Sequence, residues 1–280
     1  MARAPPRPRD LLRAVVGDGG WTAHAVLLDL QGTVYEGDRL VPGADAAVVT
    51  LRDAGHAVRF VTNTDSQDSA SVVAMLRGMG LDLDASELFT PVDAAVADLR
   101  GRDARVHVLA TAAVRDQLAA SLDVVGPDDD PTHVLVGDVH DVLDYPALDA
   151  AFRAVLGGAE LLALQHGRWF LRGGRPALDT GSVVAAIEHG AEVTARTLGK
   201  PSTEFLRLAL GTIDPAPAPS RTWVVGDDRS SDVAMGRAAG VRTALVRTGK
   251  FDRQAGDHSL PRAEHVIDDV TALPALLAPG

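Results

Sequence analysis

Short apolar runs that alternate with helical patterns constrain the fold of this chain more than any other feature of its sequence. The runs at residues 25–29 and 57–61 have the length of buried strands, and a helical pattern lies between them at residues 44–54. This alternation continues along the chain to a helical pattern near residues 271–277. Strands separated by helices predict βαβ units, and we therefore expect an α/β fold built on a parallel sheet.

Composition limits the size, the location and the partners of the protein. The 280 residues suffice for one large domain or two ordinary ones, and every apolar run is shorter than the ~18 residues of a membrane span. A formal net charge of −11 argues against a nucleic-acid partner and an anionic membrane surface. The absence of cysteine excludes disulfides and thiolate zinc sites and fits a cytoplasmic location. Residues 1–20 lack the apolar stretch of a signal peptide, and we expect them to form a disordered tail.

Polar residues follow the first two strand patterns, at the edge where open α/β sheets bind ligands. Asp29 ends the first run and enters the segment Asp-Leu-Gln-Gly-Thr, where it is either a catalytic group or a structural acid. Thr62 and Asn63 follow the second run, and their hydroxyl, amide and backbone N–H groups could hold phosphate oxygens. The competing interpretation is a turn or a helix cap, which these residue types also favour.

Two later segments carry charge at comparable positions. Lys200 precedes a proline at the start of a helical pattern, where a lysine can neutralise a phosphoryl group or lie on the surface. Asp227 and Asp228 follow a strand pattern at residues 222–225, and Asp232 opens the next helical pattern. Carboxylates gathered at one strand-to-helix turn repel each other unless a cation balances them, and hard oxygen ligands suit Mg²⁺. A solvated acidic helix cap is the alternative.

Together the four segments form a specific pattern. Their order along the chain is Asp-x-x-Gly-Thr, Thr-Asn, Gly-Lys-Pro and Gly-Asp-Asp-x-x-x-Asp, and it resembles that of the haloacid dehalogenase superfamily. The chain is similar to the NagD-type phosphatases of this superfamily, and within them to the phospholysine phosphohistidine inorganic pyrophosphate phosphatases. The resemblance covers about residues 23–252 and implies a Rossmann-like parallel-sheet core with an inserted α/β cap domain.

The resemblance also implies domain boundaries and a substrate-facing loop. Residues 21–90 and 192–280 would form the catalytic core, and residues 91–191 would form the cap. The segment at residues 178–182 matches the cap loop that faces the substrate, which makes Asp179, Thr180 and Ser182 candidate substrate contacts. Asp179 would contact a substrate amine and Ser182 would cap the following helix. A plain N-terminal cap explains the same segment equally well.

The roles implied for the matching residues describe a two-step phosphatase. Asp29 would attack phosphorus and form an aspartyl-phosphate. Mg²⁺ would be bound by Asp29, the backbone carbonyl of Gln31 and Asp227. Asp232 and Asp228 would orient metal-bound water. The remaining polar residues of the motifs would bind the transferring phosphoryl group: Thr62, Asn63 and Lys200.

Gln31 departs from the commonest pattern of the superfamily, in which this position is an aspartate that protonates the leaving group and later deprotonates water. An amide can do neither, and general acid–base catalysis contributes about 10²–10⁴-fold. The loss should matter least for weakly basic leaving groups, because imidazole has a reference pKa near ~6.5. Phosphoramidates, pyrophosphate and acyl phosphates are therefore the expected substrates. Gln31 could still orient the hydrolytic water, as a glutamine does in small GTPases.

Three functions are compatible with the sequence. We favour a Mg²⁺-dependent phosphohydrolase that acts on small activated phosphates. A dehalogenase or phosphonate hydrolase of the same fold is the second, although the acidic cluster around Asp227 argues against metal-free dehalogenation. The third is a weakly active or inactive phosphate- or metal-binding protein. For the favoured function we expect a small phosphorylated substrate, neither nucleic acid nor membrane as a partner, and, by resemblance, a homodimer formed through the cap.

Overall fold

The strands that the structure describes form two parallel sheets and two small hairpins. The computed structural model describes residues 23–278, and the predicted tail at residues 1–20 lies outside them. The strands in chain order are β1 (Ala25–Asp29), β2 (Tyr35–Glu36), β3 (Arg39–Leu40), β4 (Ala57–Val61), β5 (Leu88–Phe89), β6 (Arg105–Leu109), β7 (Asp123–Val124), β8 (His133–Val136), β9 (Glu160–Ala163), β10 (Trp169–Arg172), β11 (Arg175–Leu178), β12 (Arg196–Thr197), β13 (Thr222–Gly226), β14 (Arg242–Val246) and β15 (His265–Ile267).

Helices connect most of the parallel strands. They are α1 (Ala44–Asp53), α2 (Ser69–Gly78), α3 (Pro91–Leu99), α4 (Ala112–Ala119), α5 (Tyr145–Leu156), α6 (Thr180–Ala191), α7 (Thr203–Leu210), α8 (Ala234–Ala239), α9 (Phe251–Gln254) and α10 (Leu273–Leu277). A π-helical turn, Arg229–Val233, directly precedes α8. Within residues 23–278, no helix combines the length and the apolar character that crossing a bilayer requires.

The first of two compact units contains the described residues up to Thr62, then Val73–Phe89 and the residues from Lys200 onward. Its six-stranded sheet has the order β15-β14-β13-β1-β4-β5, and every strand pair is parallel. All five residues of β1 are buried, as expected for a central strand whose two faces are both covered. The largest fully buried side chains in its core are Trp223, Phe60 and Phe205.

The second unit contains Asn63–Val72 and Thr90–Gly199. Its five-stranded parallel sheet has the order β12-β9-β8-β6-β7, and β10 and β11 form a separate antiparallel hairpin. The apolar core packs α5 and α6 against the sheet through residues such as Val136, Val155 and Ile187. Thr90 begins α3 with a capping box, in which its hydroxyl accepts from the Asp93 N–H at 3.2 Å.

The boundaries between the units differ from the predicted ones for two segments and for Thr90. The segments 63–72 and 192–199 and the single residue Thr90 were predicted to belong to the core, whereas the structure groups them with the second unit. The first segment is held there by hydrogen bonds, since Ser69 N–H donates to Gln117 Oε1 at 2.7 Å and Thr111 Oγ1 donates to the Ser66 carbonyl at 3.0 Å. The second segment contains β12, which pairs with β9.

The predicted α/β class and the parallel sheet are confirmed, and the differences concern short elements. The two-residue strands β2, β3, β5, β7 and β12 were not predicted, because so few residues carry no period-two signal. The strands β11 and β15 and the helix α9 were also not predicted. The helical pattern that Asp232 opens begins instead as part of the π-helical turn, so regular α-helix starts only at Ala234.

Asp65 is a buried carboxyl group of the second unit. Thr180 Oγ1 donates to Asp65 Oδ2 at 2.6 Å, and the Asp138 N–H donates to the Asp65 carbonyl at 3.4 Å. Burial raises the pKa of Asp65 from 3.8 to about 7, and the carboxylates of Asp179 and Asp138 act in the same direction. Between these two values the folded protein retains a proton that the unfolded chain has lost, so this group reduces stability as the pH rises.

Replacing Asp65 by asparagine should therefore stabilise the protein more at high pH than at low pH. Asparagine keeps an acceptor for Thr180 and cannot ionise. We expect the gain in free energy of unfolding to be about 2–3 kcal/mol larger at pH 8 than at pH 5, as measured by urea denaturation. The control is Asp68→Asn, because the pKa of this exposed carboxyl is lowered by the Ser71 N–H. A gain that is equal at the two pH values would contradict the assignment.

Candidate active site

Two neighbouring strands place two aspartates at the same edge of the six-stranded sheet. β1 and β13 pair in parallel with Leu28 opposite Val225, so both chains leave the sheet in the same direction. Asp29 is the last residue of β1, and Asp227 directly follows the last residue of β13. Both side chains are buried. The strand-end positions predicted for these acids are thus adjacent in space.

Asp232 completes a cluster of three buried carboxylates with these two residues. One ligand oxygen from each of Asp29, Asp227 and Asp232 lies within 4.8 Å of the other two. Asp232 lies in the π-helical turn that follows β13, and its Oδ2 accepts from the Asp228 N–H at 3.3 Å. The turn thus directs this acid back toward the strand ends. The sequence had suggested only an outer role for Asp232.

Lys200 neutralises part of this charge. Its Nζ donates to Asp232 Oδ1 at 2.8 Å and also to Asp29 Oδ1, while Thr33 Oγ1 donates to the other Asp29 oxygen at 3.3 Å. The Lys200 side chain is only 3% exposed. Burial alone would lower its pKa, but the carboxylates of Asp232 and Asp29 outweigh burial and raise the pKa of Lys200. The alternative of an ordinary surface lysine is wrong.

The cluster retains an excess of negative charge. Burial raises the pKa of Asp227 to about 8, with further contributions from Asp29 and Asp232. Burial also raises the pKa of Asp232 to about 7, although Lys200 acts in the opposite direction. Three buried carboxylates facing one ammonium group require protons or a further cation, and carboxylate oxygens at this spacing are suitable ligands for Mg²⁺. The residues present therefore fit the expected metal.

Asp228 has a different environment from its neighbour. Its Oδ1 accepts from Ser230 N–H, Ser230 Oγ and Gln254 Nε2 at 2.8, 2.6 and 2.7 Å, and its Oδ2 accepts from Lys250 Nζ at 2.7 Å. Burial would raise the pKa of Asp228, but Lys250 and the other donors hold it well below its usual range. Asp228 is therefore a carboxylate whose two oxygens are both occupied by donors of the protein.

The loop after β14 packs against the loop after β1. Thr248 Oγ1 donates to the Gly32 carbonyl at 2.5 Å, and the Gly249 N–H donates to Glu36 Oε1 at 2.8 Å. Gly32 and Gly249 have φ angles of +88° and +62°, and a Cβ at either would collide with the carboxylate of Asp227. The Lys250 N–H donates to Asp227 Oδ2 at 2.8 Å. Asp227 is therefore fixed between two glycines.

Comparison with known proteins identifies the family of this site. The family models described as haloacid dehalogenase-like hydrolase and HAD-hydrolase-like match residues 26–121 and 197–273. Phospholysine phosphohistidine inorganic pyrophosphate phosphatase from Danio rerio is 34% identical over 257 residues, covering 90% of this chain and 93% of the relative. Haloacid dehalogenase-like hydrolase domain-containing protein 2 from Rattus norvegicus is 36% identical over 227 residues, covering 81% and 85%.

The chain belongs to the haloacid dehalogenase-like hydrolases. In fold it matches the solved structure of NagD from E. coli K-12 with a TM-score of 0.79 and 24% identity, over 90% of this chain and 98% of that one. The predicted superfamily, its NagD-like branch and the expectation of a phosphatase are confirmed.

The other predicted site residues have different locations. Gln31 is exposed two residues after the end of β1, and Thr62 is buried directly after β4, the strand next to β1. Asn63 belongs to the second unit, where its Oδ1 lies close to Gly199. The predicted substrate loop at residues 178–182 also lies in the second unit.

In that loop, the helix cap is provided by a different residue from the one predicted. The Asp179 side chain caps α6 by accepting from the Thr180 N–H at 2.9 Å, and it also accepts from Gln165 Nε2 at 2.5 Å. Ser182 Oγ donates to the Arg168 carbonyl at 2.6 Å instead of capping the helix. The prediction that these residues contact substrate remains a prediction.

No role was predicted from the sequence for Glu36, Thr248, Gly249 or Lys250. These residues connect the loop after β14 to the segment after β1 and to the aspartates after β13. Their positions depend on how the loop after β14 folds, and neither strand nor helix periodicity describes such a loop. A usable signal was present nonetheless. The chain has 27 lysines and arginines, and its only two lysines are Lys200 and Lys250.

The close approach of Gly249 to Asp227 can be separated from the cost of its backbone conformation. Gly249→Ala should lower the thermal unfolding temperature and weaken Mg²⁺ binding, as measured by calorimetry, because the methyl group displaces Asp227. The matched control is Gly37→Ala, since Gly37 has φ +61° and open space around the added methyl group. Gly37→Ala should cost only the conformational penalty of about 1 kcal/mol. Equal effects of the two variants on Mg²⁺ binding would contradict the proposed steric role.

Proposed function

We propose that this protein is a Mg²⁺-dependent phosphohydrolase that acts on small activated phosphates through an aspartyl-phosphate formed on Asp29. The observation that carries the proposal is the group of three buried carboxylates and one buried lysine at the ends of β1 and β13. The name of the Danio rerio relative supports phosphoramidates and pyrophosphate as the substrate class.

In the first step an oxygen of Asp29 attacks phosphorus, and the bond from phosphorus to the leaving group breaks with its electron pair remaining on the leaving group. Lys200 holds Asp29 in position and places a positive charge beside the phosphoryl group. Mg²⁺ bound by the carboxylates of Asp29, Asp227 and Asp232, with the predicted carbonyl of Gln31, would neutralise the phosphoryl oxygens. Thr62 and Asn63 are the proposed further contacts of the phosphoryl group.

In the second step water attacks phosphorus, the bond between phosphorus and Asp29 breaks, and inorganic phosphate leaves. This water transfers its proton to a phosphoryl oxygen of the intermediate, because the side-chain amide of Gln31 cannot accept it as a carboxylate would. Gln31 can hold the water through its carbonyl oxygen and thereby orient it. In our proposal Gln31 is therefore an orienting group, and it does not act as an acid or a base in either step.

The leaving group decides how costly this lack of an acid is. A sugar or alcohol leaves as a strongly basic alkoxide that needs a proton. Imidazole leaves as a neutral molecule when its second ring nitrogen is protonated, and phosphate leaves as an anion; the conjugate acids of these two leaving groups have pKa values near ~6.5 and ~6. Phosphohistidine-type phosphoramidates, pyrophosphate and acyl phosphates are consequently the proposed substrates.

The proposed partner of the protein is a small phosphorylated molecule, and neither a nucleic acid nor a membrane is proposed as a partner. The proposed location of the protein is the cytoplasm. A homodimer formed through the proposed cap, the second unit, belongs to the same proposal.

The first test measures phosphate release from imidazole phosphate, pyrophosphate and a sugar phosphate, with and without Mg²⁺. We expect release from the first two, dependence on Mg²⁺, and little release from the sugar phosphate. Asp29→Asn is the control, because asparagine preserves the shape of the side chain and removes the nucleophile. Release that persists in Asp29→Asn would contradict the proposed mechanism.

The test also distinguishes the competing functions. Mg²⁺ binding without turnover of any activated phosphate would favour a phosphate- or metal-binding protein. This is the second candidate function, because the exposed Gln31 stands where an acid would assist catalysis. Turnover of a haloacid without metal would favour a dehalogenase. The excess negative charge of the carboxylate cluster argues against that metal-free reaction, because it calls for a cation.

Gln31→Asp tests the argument from leaving groups. An aspartate at this position restores a group that can donate and accept a proton, and such help is worth about 10²–10⁴-fold. We expect the variant to raise kcat/KM for a sugar phosphate by at least ~10-fold more than for pyrophosphate. The matched variant Gln31→Asn, which shortens the side chain without adding an acid, should not produce this difference. Equal gains on both substrates would show that Gln31 does not set the preference.

A further inference from the structure

The two lysines of the chain contact the same short acidic loop, residues 227–232. The chain has 27 lysines and arginines, and the other 25 are arginines. Lys200 Nζ contacts Asp232, and Lys250 Nζ contacts Asp228, at 2.8 and 2.7 Å. A lysine ammonium is a compact charge with three donors, whereas the guanidinium group is planar and wider. The use of lysine at these two positions points to a local geometric requirement.

Lys250 reaches the loop through both its backbone and its side chain. Its N–H donates to Asp227 Oδ2 at 2.8 Å, and its Nζ donates to Asp228 Oδ2 at 2.7 Å. The Lys250 side chain is 56% exposed, whereas that of Asp228 is 9% exposed. The ammonium group therefore covers a buried carboxylate at the surface. Burial would lower the pKa of Lys250, but Asp228 outweighs burial and raises it, so the lysine remains charged.

The helix that follows Lys250 contacts the same loop from another side. Gln254 Nε2 donates to Asp228 Oδ1 at 2.7 Å, and Gln254 Oε1 accepts from the Arg229 N–H at 2.7 Å. The Arg229 guanidinium in turn donates to the backbone carbonyls of Gln254 and Leu260, at 2.7 and 2.6 Å. Residues 250–254 thus contact three consecutive residues of the loop, 227–229. Asp228 is the residue on which both Lys250 and Gln254 converge.

Asp228 needs such contacts because it adjoins the cluster of like charges. It directly follows Asp227, and its backbone N–H donates to Asp232. A carboxylate at this position without a cationic partner would be repelled by its neighbours, and its movement would displace the two proposed metal ligands. We propose that Lys250 is a positioning residue that holds Asp228, and through it Asp227 and Asp232, in the arrangement that binds Mg²⁺. This inference rests on the proposed Mg²⁺-dependent function.

Positioning and simple charge effects have opposite signs here. Removing a positive charge near a Mg²⁺ site strengthens the attraction of the site for the ion, if nothing moves. Loss of positioning weakens binding, and groups that orient metal ligands typically change metal affinity by about 10–100-fold. The direction of the change in Mg²⁺ affinity therefore separates the two explanations.

The experiment measures Mg²⁺ binding by titration calorimetry and Mn²⁺ binding by electron paramagnetic resonance in the purified full chain. Lys250→Met should raise the Mg²⁺ dissociation constant by about tenfold. Lys250→Arg should restore part of the affinity that Lys250→Met loses, because a guanidinium group keeps the positive charge beside Asp228 but lacks the compact shape of the ammonium group. The matched control is Arg253→Met, which removes the same charge from an exposed residue of α9. This control should leave the dissociation constant unchanged or slightly lower.

Gln254→Ala provides a second variant, since it removes another donor to Asp228 without changing the charge. It should weaken Mg²⁺ binding in the same direction as Lys250→Met, and thermal unfolding would show that each variant is folded. Unchanged or tighter binding in folded Lys250→Met would overturn the inference and leave the proposed function intact. Absence of Mg²⁺ binding in the unaltered protein would instead overturn the proposed function.

Discussion

The mutual repulsion of buried carboxylates is the constraint on which the rest of this site depends. Asp29, Asp227 and Asp232 lie within 4.8 Å of one another, away from the water that would screen them. Lys200 offsets only one of the three charges. A buried charge that lacks a partner is expensive, since breaking a buried ion pair generally lowers the free energy of unfolding by about 3–5 kcal/mol. The arrangement is consequently stable with protons bound at low pH or with a divalent cation bound.

Adjacent residues of the loop illustrate how strongly the environment controls such groups. The pKa of Asp227 is raised to about 8, whereas that of Asp228 is lowered. Both are buried, so burial acts in the same direction on each. The difference comes from partners, because Lys250 and three further donors surround Asp228 while Asp227 faces two other acids. Two neighbouring carboxyl groups therefore suit different tasks, one as a proposed metal ligand and the other as a fixed anchor of the loop.

Sequence reasoning was successful where regular structure determines position. Asp29 and Asp227 follow strong strand patterns, and parallel pairing of β1 with β13 brings them to one edge without further information. Lys200 could be placed only through the order of the family motifs. Lys250 and Asp228 are 22 residues apart in the sequence, and their side chains meet only because of how the intervening loops fold. No periodic pattern encodes such a contact. The grouping of residues 63–72 with the second unit depends on hydrogen bonds of the same kind.

The proposed substrate class follows from what the remaining acids of the site cannot do. Burial and mutual repulsion raise the pKa values of Asp227 and Asp232, so in the absence of metal a protonated carboxyl group here is a candidate replacement for the acid that Gln31 lacks. A carboxyl group must lose its proton to bind a metal, however, so metal binding removes these protons before a substrate reacts. Asp228 has both oxygens occupied by donors of the protein. In the proposed mechanism none of the three would therefore protonate a departing alkoxide, and the proposal requires a leaving group that is stable without a proton.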